Sequence, residues 1–238
     1  MAATCLASAR GESNRGEAEV KVWLSWSSGK DSAWALEVLR ATPGTEVTGL
    51  FTAINGVADR VAMHGVRRAL VEAQAAAAGL PLRVAKIPYP CPNGAYEQAM
   101  ADLVGAAKDE GVEAMAFGDL FLGDVRAYRE ARLAGTGLEP LFPLWGRDTR
   151  RLAHETIAGG LVAHLTAVDP AQIETRFVGR RFDERLLAEL PASADPCGEN
   201  GEFHTFVSAG PMLANPIAIV LGEVVERDGL VFQDVLPA

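Results

Sequence analysis

Ser27-Ser28-Gly29-Lys30-Asp31-Ser32 decides how the rest of this chain is read. An apolar run, Val20 to Trp26, precedes it and predicts a buried strand. Ala33 to Arg40 follows with the spacing of an amphipathic helix. A strand, a tight loop of small residues and a helix N-terminus make an anion site, because the loop N–H groups and the unpaired first-turn N–H groups converge. The helix dipole adds roughly half a positive charge there, and Lys30 adds a full one. A phosphate suits this geometry. The plain alternative is a Ser-rich helix cap, since Ser and Asp are favoured at such ends.

The motif is not a P-loop: Leu24 stands where the first Gly belongs, and Asp31 follows Lys30 in place of Ser or Thr. The Rossmann G-x-G-x-x-G pattern fails too. The hexapeptide resembles the pyrophosphate loop, S-G-G-x-D-S, of the ATP pyrophosphatases, with Ser28 in place of the first Gly. Ser restricts positive φ, so a slightly different loop is expected.

Its 238 residues allow a main domain with a smaller appendage, and 49% apolar residues supply a sizeable core. A net charge of −9 speaks against broad nucleic-acid binding, which needs a basic surface. Cysteines at 5, 91 and 197 are too scattered for a disulfide framework or a C-x-x-C metal site, and read as reduced cytoplasmic thiols. Met1 to Glu19, rich in Ala, Ser, Gly and Arg and without an apolar h-region, reads as a disordered tail rather than a signal peptide. No run approaches the roughly 18 apolar residues of a membrane span. A soluble, cytoplasmic protein without membrane partners is expected.

Strand and helix signals then alternate. Strands are predicted over Glu46–Asn55, Leu82–Ile87 and Ala114–Phe117, with helices over Met63–Ala78 and from Tyr96 to about Gly111. That alternation predicts a parallel sheet covered by helices on both faces. Ligands bind such sheets at the carboxyl ends of the strands, where the hexapeptide, Thr52–Asn55 and Gly118-Asp119 all fall. From Leu120 onward the pattern changes. Asp124–Glu130 predicts a loop running into a helix, and the prolines of Pro140–Trp145 keep that stretch out of a central strand. Asp148 caps a predicted helix to Ala158, Leu161–Val168 a strand, and Phe182–Leu190 a short helix. Arg227-Asp228-Gly229 signals a closing hairpin.

A second unusual stretch lies near the end. Glu199, Glu202 and His204 fall within six residues, beside Gly198 and Gly201. Two carboxylates and an imidazole can hold a metal, orient an amine or exchange protons, unless the stretch is only a surface turn. The other histidines, 64, 154 and 164, read as isolated and structural.

Together, Ser27–Ser32, Gly118-Asp119, Pro143-Leu144-Trp145 and Gly198–Thr205 resemble the diphthine–ammonia ligase family from about Lys21 onward. The resemblance implies an adenine-nucleotide α-hydrolase-like, Rossmann-like α/β domain over 20–122, after a tail at 1–19. A smaller α+β substrate domain over 123–238 would follow. It also implies an ATP-dependent ligase that adenylates a carboxylate, small-molecule or protein-borne, releases pyrophosphate and uses ammonia to form an amide. Homodimers are compatible with it. ATP would lie on Ser27, Ser28, Gly29, Lys30, Asp31 and Ser32, with Phe51, Thr52, Gly118 and Asp119 contributing. Mg²⁺ would sit on Asp31 and Asp119. Lys30, Asp31, Glu199, Glu202 and His204 would serve catalysis, and Arg126, Arg129, Asn200 and Thr205 the substrate. The late motif departs from the family's E-G-G-E-[FY]-E-T at Asn200 and His204, a form resembling a bacterial-type branch, which leaves the acid substrate open. Two other readings stand beside this one: a nucleotide-sensing module, and a tRNA sulfur-transferase using Cys91 or Cys197.

Overall fold

The computed structural model describes residues 19–61 and 64–238, so the expected tail, up to residue 18, lies outside the described residues. The first strand, β1 (Val20–Ser25), runs through the middle of the sheet with Val22, Trp23 and Leu24 at most 1% exposed. Its alternate side chains feed two apolar layers, Val22 and Leu24 on one face and Trp23 on the other. Burial on both faces is what a parallel strand between helices requires. α1 (Lys30–Ala41) follows, then β2 (Thr45–Asn55), a two-residue β3 (Arg60–Val61) that periodicity does not reveal, and α2 (Arg68–Ala78). β4 (Leu82–Ile87), α3 (Asn93–Asp109), β5 (Ala114–Ala116), α4 (Gly123–Leu133) and β6 (Glu139–Leu141) complete the layer.

α2 starts later than its apolar spacing suggests. The Val61 N–H donates to Val66 O at 2.8 Å and Gly65 has φ 68°, so Val66 belongs to a turn off β3. Gly79, left-handed at φ 68°, ends the helix as expected.

β1 pairs in parallel with β2 on one side and β5 on the other, β4 adds outside β2, and β6 adds outside β5. The strand order is therefore 4-2-1-5-6, with β3 antiparallel on the overhanging end of β2. Pro140 sits in β6 at the sheet edge, where a missing N–H is tolerated. The chain leaves β1 in one direction and later returns on its other flank. The crevice between the carboxyl ends of β1 and β5 is thus the switch point where such sheets bind ligands.

α5 (Thr149–Ala158) begins at Asp148, whose carboxylate accepts from Arg151 N. The second sheet is antiparallel, in the order β8-β7-β10-β9, built from β7 (Val162–Val168), β8 (Phe203–Ala209), β9 (Ile219–Arg227) and β10 (Leu230–Pro237). A short α6 (Glu184–Glu189), capped by Asp183, precedes β8. Asp228 and Gly229, at φ 54° and 80°, form the two-residue turn of the closing hairpin. The fold is the expected one: a mostly parallel sheet flanked by helices, with a separate antiparallel sheet behind it. One apolar cluster joins the two, from Leu24 and Leu36 through Leu165, Phe206 and Val207. Among the described residues, no helix is long and apolar enough to cross a membrane.

Candidate active site

The hexapeptide turns through the switch point. Ser28 takes φ 75° despite its side chain and is fully buried, so the loop keeps the left-handed turn that Gly would make without strain. Its carbonyl accepts from Val207 N and from Gln74 Nε2, each at 3.0 Å. Ser27 Oγ lies 3.1 Å from Ser32 Oγ, and Ser32 Oγ donates to Gly29 O at 3.0 Å. α1 has no cap from its own N-terminal segment. The cap comes from β8, where Thr205 Oγ1 accepts from Lys30 N at 3.0 Å across 175 residues.

Two glycines permit this packing. A Cβ on Gly118 would lie 3.0 Å from Asp31 C and Ser32 N, and one on Gly29 would lie 3.2 Å from Thr205 O. Gly118→Ala is therefore expected to push the first turn of α1 out of place. Overpacking of this kind costs about 1–3 kcal/mol, and pyrophosphate affinity measured by calorimetry should fall about tenfold or more. Unchanged affinity would separate the α1 terminus from anion binding.

Lys30 points inward. Its ammonium donates to Asp31 Oδ2 at 2.8 Å and to the carbonyl of Cys197, between the rings of Phe203 and Phe182 at 5.4 and 5.7 Å. Burial opposes its charge, but Asp31, Cys197 and Glu199 outweigh burial and hold the lysine above its ordinary range. Burial pushes the Asp31 carboxyl up, against the pull of Lys30. Lys30 thus ties the hexapeptide to the late motif as well as supplying charge.

The late motif divides in two. Glu199 and His204 line the cavity over the hexapeptide, whereas Glu202 and Asn200 serve the turn itself. Glu202 is 1% exposed, and its Oε1 accepts from Asp195 N at 2.7 Å and Asn200 Nδ2 at 3.1 Å. Gly198, at φ 69°, packs against Phe203 so closely that a Cβ would lie 2.9 Å from its carbonyl. Glu199 Oε1 accepts from Leu120 N at 2.7 Å, which ties the motif to the loop after β5. Burial raises the Glu199 carboxyl to about 7, with Asp31 adding to the rise. His204 falls to about 4 through burial and the nearby Lys30 charge.

His64 is not isolated. Its ring centroid lies 4.4 Å from that of His204, and burial together with His204 holds it neutral, well below its ordinary range. Gln74 is the other residue that sequence reasoning passes over. It has no exposed surface, and its signal is a lone amide on the apolar stripe Leu70, Val71, Ala75 and Ala78.

Phe51, Thr52 and Arg126 lie off the cavity, whereas Asp119 and Arg129 line it. Phe51 packs edge-on against Phe117 in the core at 6.0 Å, and neither it nor the buried Thr52 lines the cavity, because both lie within the sheet. Arg129 donates two hydrogen bonds to the Asp119 carboxylate, at 2.5 and 3.0 Å, so the two expected ligand-binding residues form an ion pair at the cavity wall. Arg126 stacks on Phe142 and Trp145, pairs with Glu130 and does not line the cavity. Cys197 is 2% exposed and burial pushes its thiol far up, away from the thiolate form that sulfur transfer uses. Among the described residues, no group of three or more His, Cys, Asp or Glu is arranged to hold a metal.

The cavity measures about 300 Å³ and is lined by Ser27, Lys30, Asp31, Gly118, Glu199 and His204, among others. His204 also borders a second cavity of about 490 Å³ at the end of β2, beside Asn55, Val57, Ala58 and Tyr89.

Comparison with known proteins bears on this arrangement. Residues 20–138 match the diphthamide synthase N-terminal domain and residues 148–230 the diphthamide synthase C-terminal domain. A diphthine–ammonia ligase of Schizosaccharomyces pombe is 30% identical over 95 residues, covering 38% of this chain. The match spans only 16% of that protein's length. With both of the family's domains present in order, the chain belongs to the diphthamide synthase family.

Proposed function

We propose that this chain is an ATP-dependent carbon–nitrogen ligase that adenylates a carboxylate, releases pyrophosphate and transfers ammonia. The observation that carries the reading is the junction of the hexapeptide with Glu199 at the switch point: a helix N-terminus facing a carboxyl that burial raises to about 7.

The residues present fit a nucleotide. Ser27, Ser32 and the α1 terminus would hold the β- and γ-phosphates, and the cavity beside Asn55–Ala58 has room for the nucleoside. Mg²⁺ fits as an ion carried by phosphate. Asp31 lines the cavity and would supply one carboxylate oxygen beside the Lys30 ammonium, and one or two protein carboxylates suffice when phosphates complete the shell. When bound, Mg·ATP would supply the adenylyl group that makes the carboxylate reactive, with pyrophosphate as the group that leaves. Glu199 would then take a proton from ammonium, since a base acts best with a pKa near the working pH. Neutral His204 and His64 would border the acyl group without adding charge.

The name of the yeast relative makes diphthine the first acid to test, although Asn200 and His204 depart from the motif that the resemblance associates with it. Incubation with ATP, Mg²⁺, ammonium and candidate acids, followed for AMP, tests the reading. Nucleotide binding with no AMP from any acid would favour a sensor.

The base carries a pH prediction. Activity should rise with pH through about 7, as Glu199 loses its proton, and Glu199→Gln should flatten that limb and lower kcat about 10²-fold or more. The same group makes folding less favourable as pH rises from 4.5 to about 7, because the folded chain keeps a proton that the unfolded chain has lost. An unchanged pH limb in Glu199→Gln would remove it as the base.

A further inference from the structure

We propose that Gln74, which does not line the cavity, is the positioning residue that holds the phosphate loop in its binding conformation; the inference rests on the ATP reading above. Ser28 occupies the left-handed region at φ 75°, which L side chains adopt reluctantly. Its hydroxyl is buried without a partner, so the side chain does nothing to hold that turn. The carbonyl does. It accepts from Val207 N and from Gln74 Nε2.

Gln74 has a second and a third attachment. Nε2 also donates to Val207 O at 2.7 Å, and Oε1 accepts from Trp26 Nε1 at 2.9 Å. One buried amide thus clamps the end of β1, the strained residue of the loop and β8. Two residues before Val207, Thr205 caps the helix that the loop feeds. No other residue type of that length both donates to two carbonyls and accepts from an indole. Without this clamp Ser28 has reason to relax toward negative φ, carrying Gly29 and the α1 terminus that follows it out of their places beside the cavity.

The test uses the full chain carrying Gln74→Met, Ser28→Gly, or both. Met keeps the length but cannot replace the amide's hydrogen bonds, and Gly takes positive φ without the steric cost that Ser pays. Magnesium pyrophosphate titrated by calorimetry should bind Gln74→Met about tenfold or more weakly than wild type. Contrary to the sequence expectation, Ser28 does not line the cavity and its hydroxyl meets no partner, so Ser28→Gly should bind normally, and the double variant should recover to within about threefold of wild type. Amide exchange over Gly29–Ala33 should speed up in Gln74→Met and slow again in the double variant. A residue that merely fills the core would lower the thermal midpoint and leave the double variant no better than Gln74→Met. Wild-type affinity in Gln74→Met, or no recovery on adding Ser28→Gly, overturns the proposal. If wild type binds no pyrophosphate, the ATP reading fails, and amide exchange still decides whether Gln74 holds the loop.

Discussion

Asp31→Asn should stop pyrophosphate release almost completely while leaving a folded protein. The carboxamide keeps an oxygen for the Lys30 ammonium, which sits 2.8 Å from Asp31 Oδ2, so the inward tie persists. What it loses is the charge that would meet a phosphate-bound cation. Removing one such electrostatic group typically costs about 10²–10³-fold in kcat. The thermal midpoint should stay within about 5 °C of wild type for a chain of this size. Coupled detection of pyrophosphate with ATP, ammonium and the acid reads the rate directly. Release at the wild-type rate would falsify the assignment of this loop to the triphosphate.

Lys30→Met should fail differently. Lys30 is 3% exposed, and its ammonium joins Asp31 to the Cys197 carbonyl between two aromatic rings. Methionine fills similar volume but leaves a buried carbonyl and a carboxylate without their donor. Breaking a buried ion pair costs about 3–5 kcal/mol, which for a chain of this length lowers the thermal midpoint by about 10 °C. Differential scanning calorimetry measures it. A normal midpoint with activity lost would make Lys30 purely a phosphate ligand, as its place in the motif first suggests. A lowered midpoint identifies it as the tie between the hexapeptide and the late motif.

The contrast between these two neighbours shows where the sequence is legible. Strands such as Val20–Ser25 and Val162–Val168, and helices such as Lys30–Ala41, carry their periodicity openly. The hexapeptide at the end of β1 follows from the alternation of strand and helix. What stays hidden is the direction in which a side chain turns once distant segments meet. Nothing near Lys30 announces that Cys197 O will accept its hydrogen bond, nor does anything near Phe51 announce Phe117 as its neighbour. Arg129 and Asp119 each look like ligand-binding residues, and ten positions of helix and loop bring them together. His64 gains its meaning only when β8 places His204 beside it. Gln74 was the most readable of the omissions, since an amide on an Ala-rich apolar stripe must find buried partners.

The cap that Thr205 places on α1 has a consequence for synthesis. The anion site opens within the first strand–helix unit, yet its helix terminus is finished by a hydroxyl 175 residues later. A ribosome-bound chain has released all the strands of the mostly parallel sheet, β1 to β6, before that hydroxyl emerges. Until then, the Lys30 amide and the Ser28 carbonyl lack the partners that β8 provides. On the function proposed above, nucleotide capture would wait until β8 is in place, and an unfinished protein would leave ATP free.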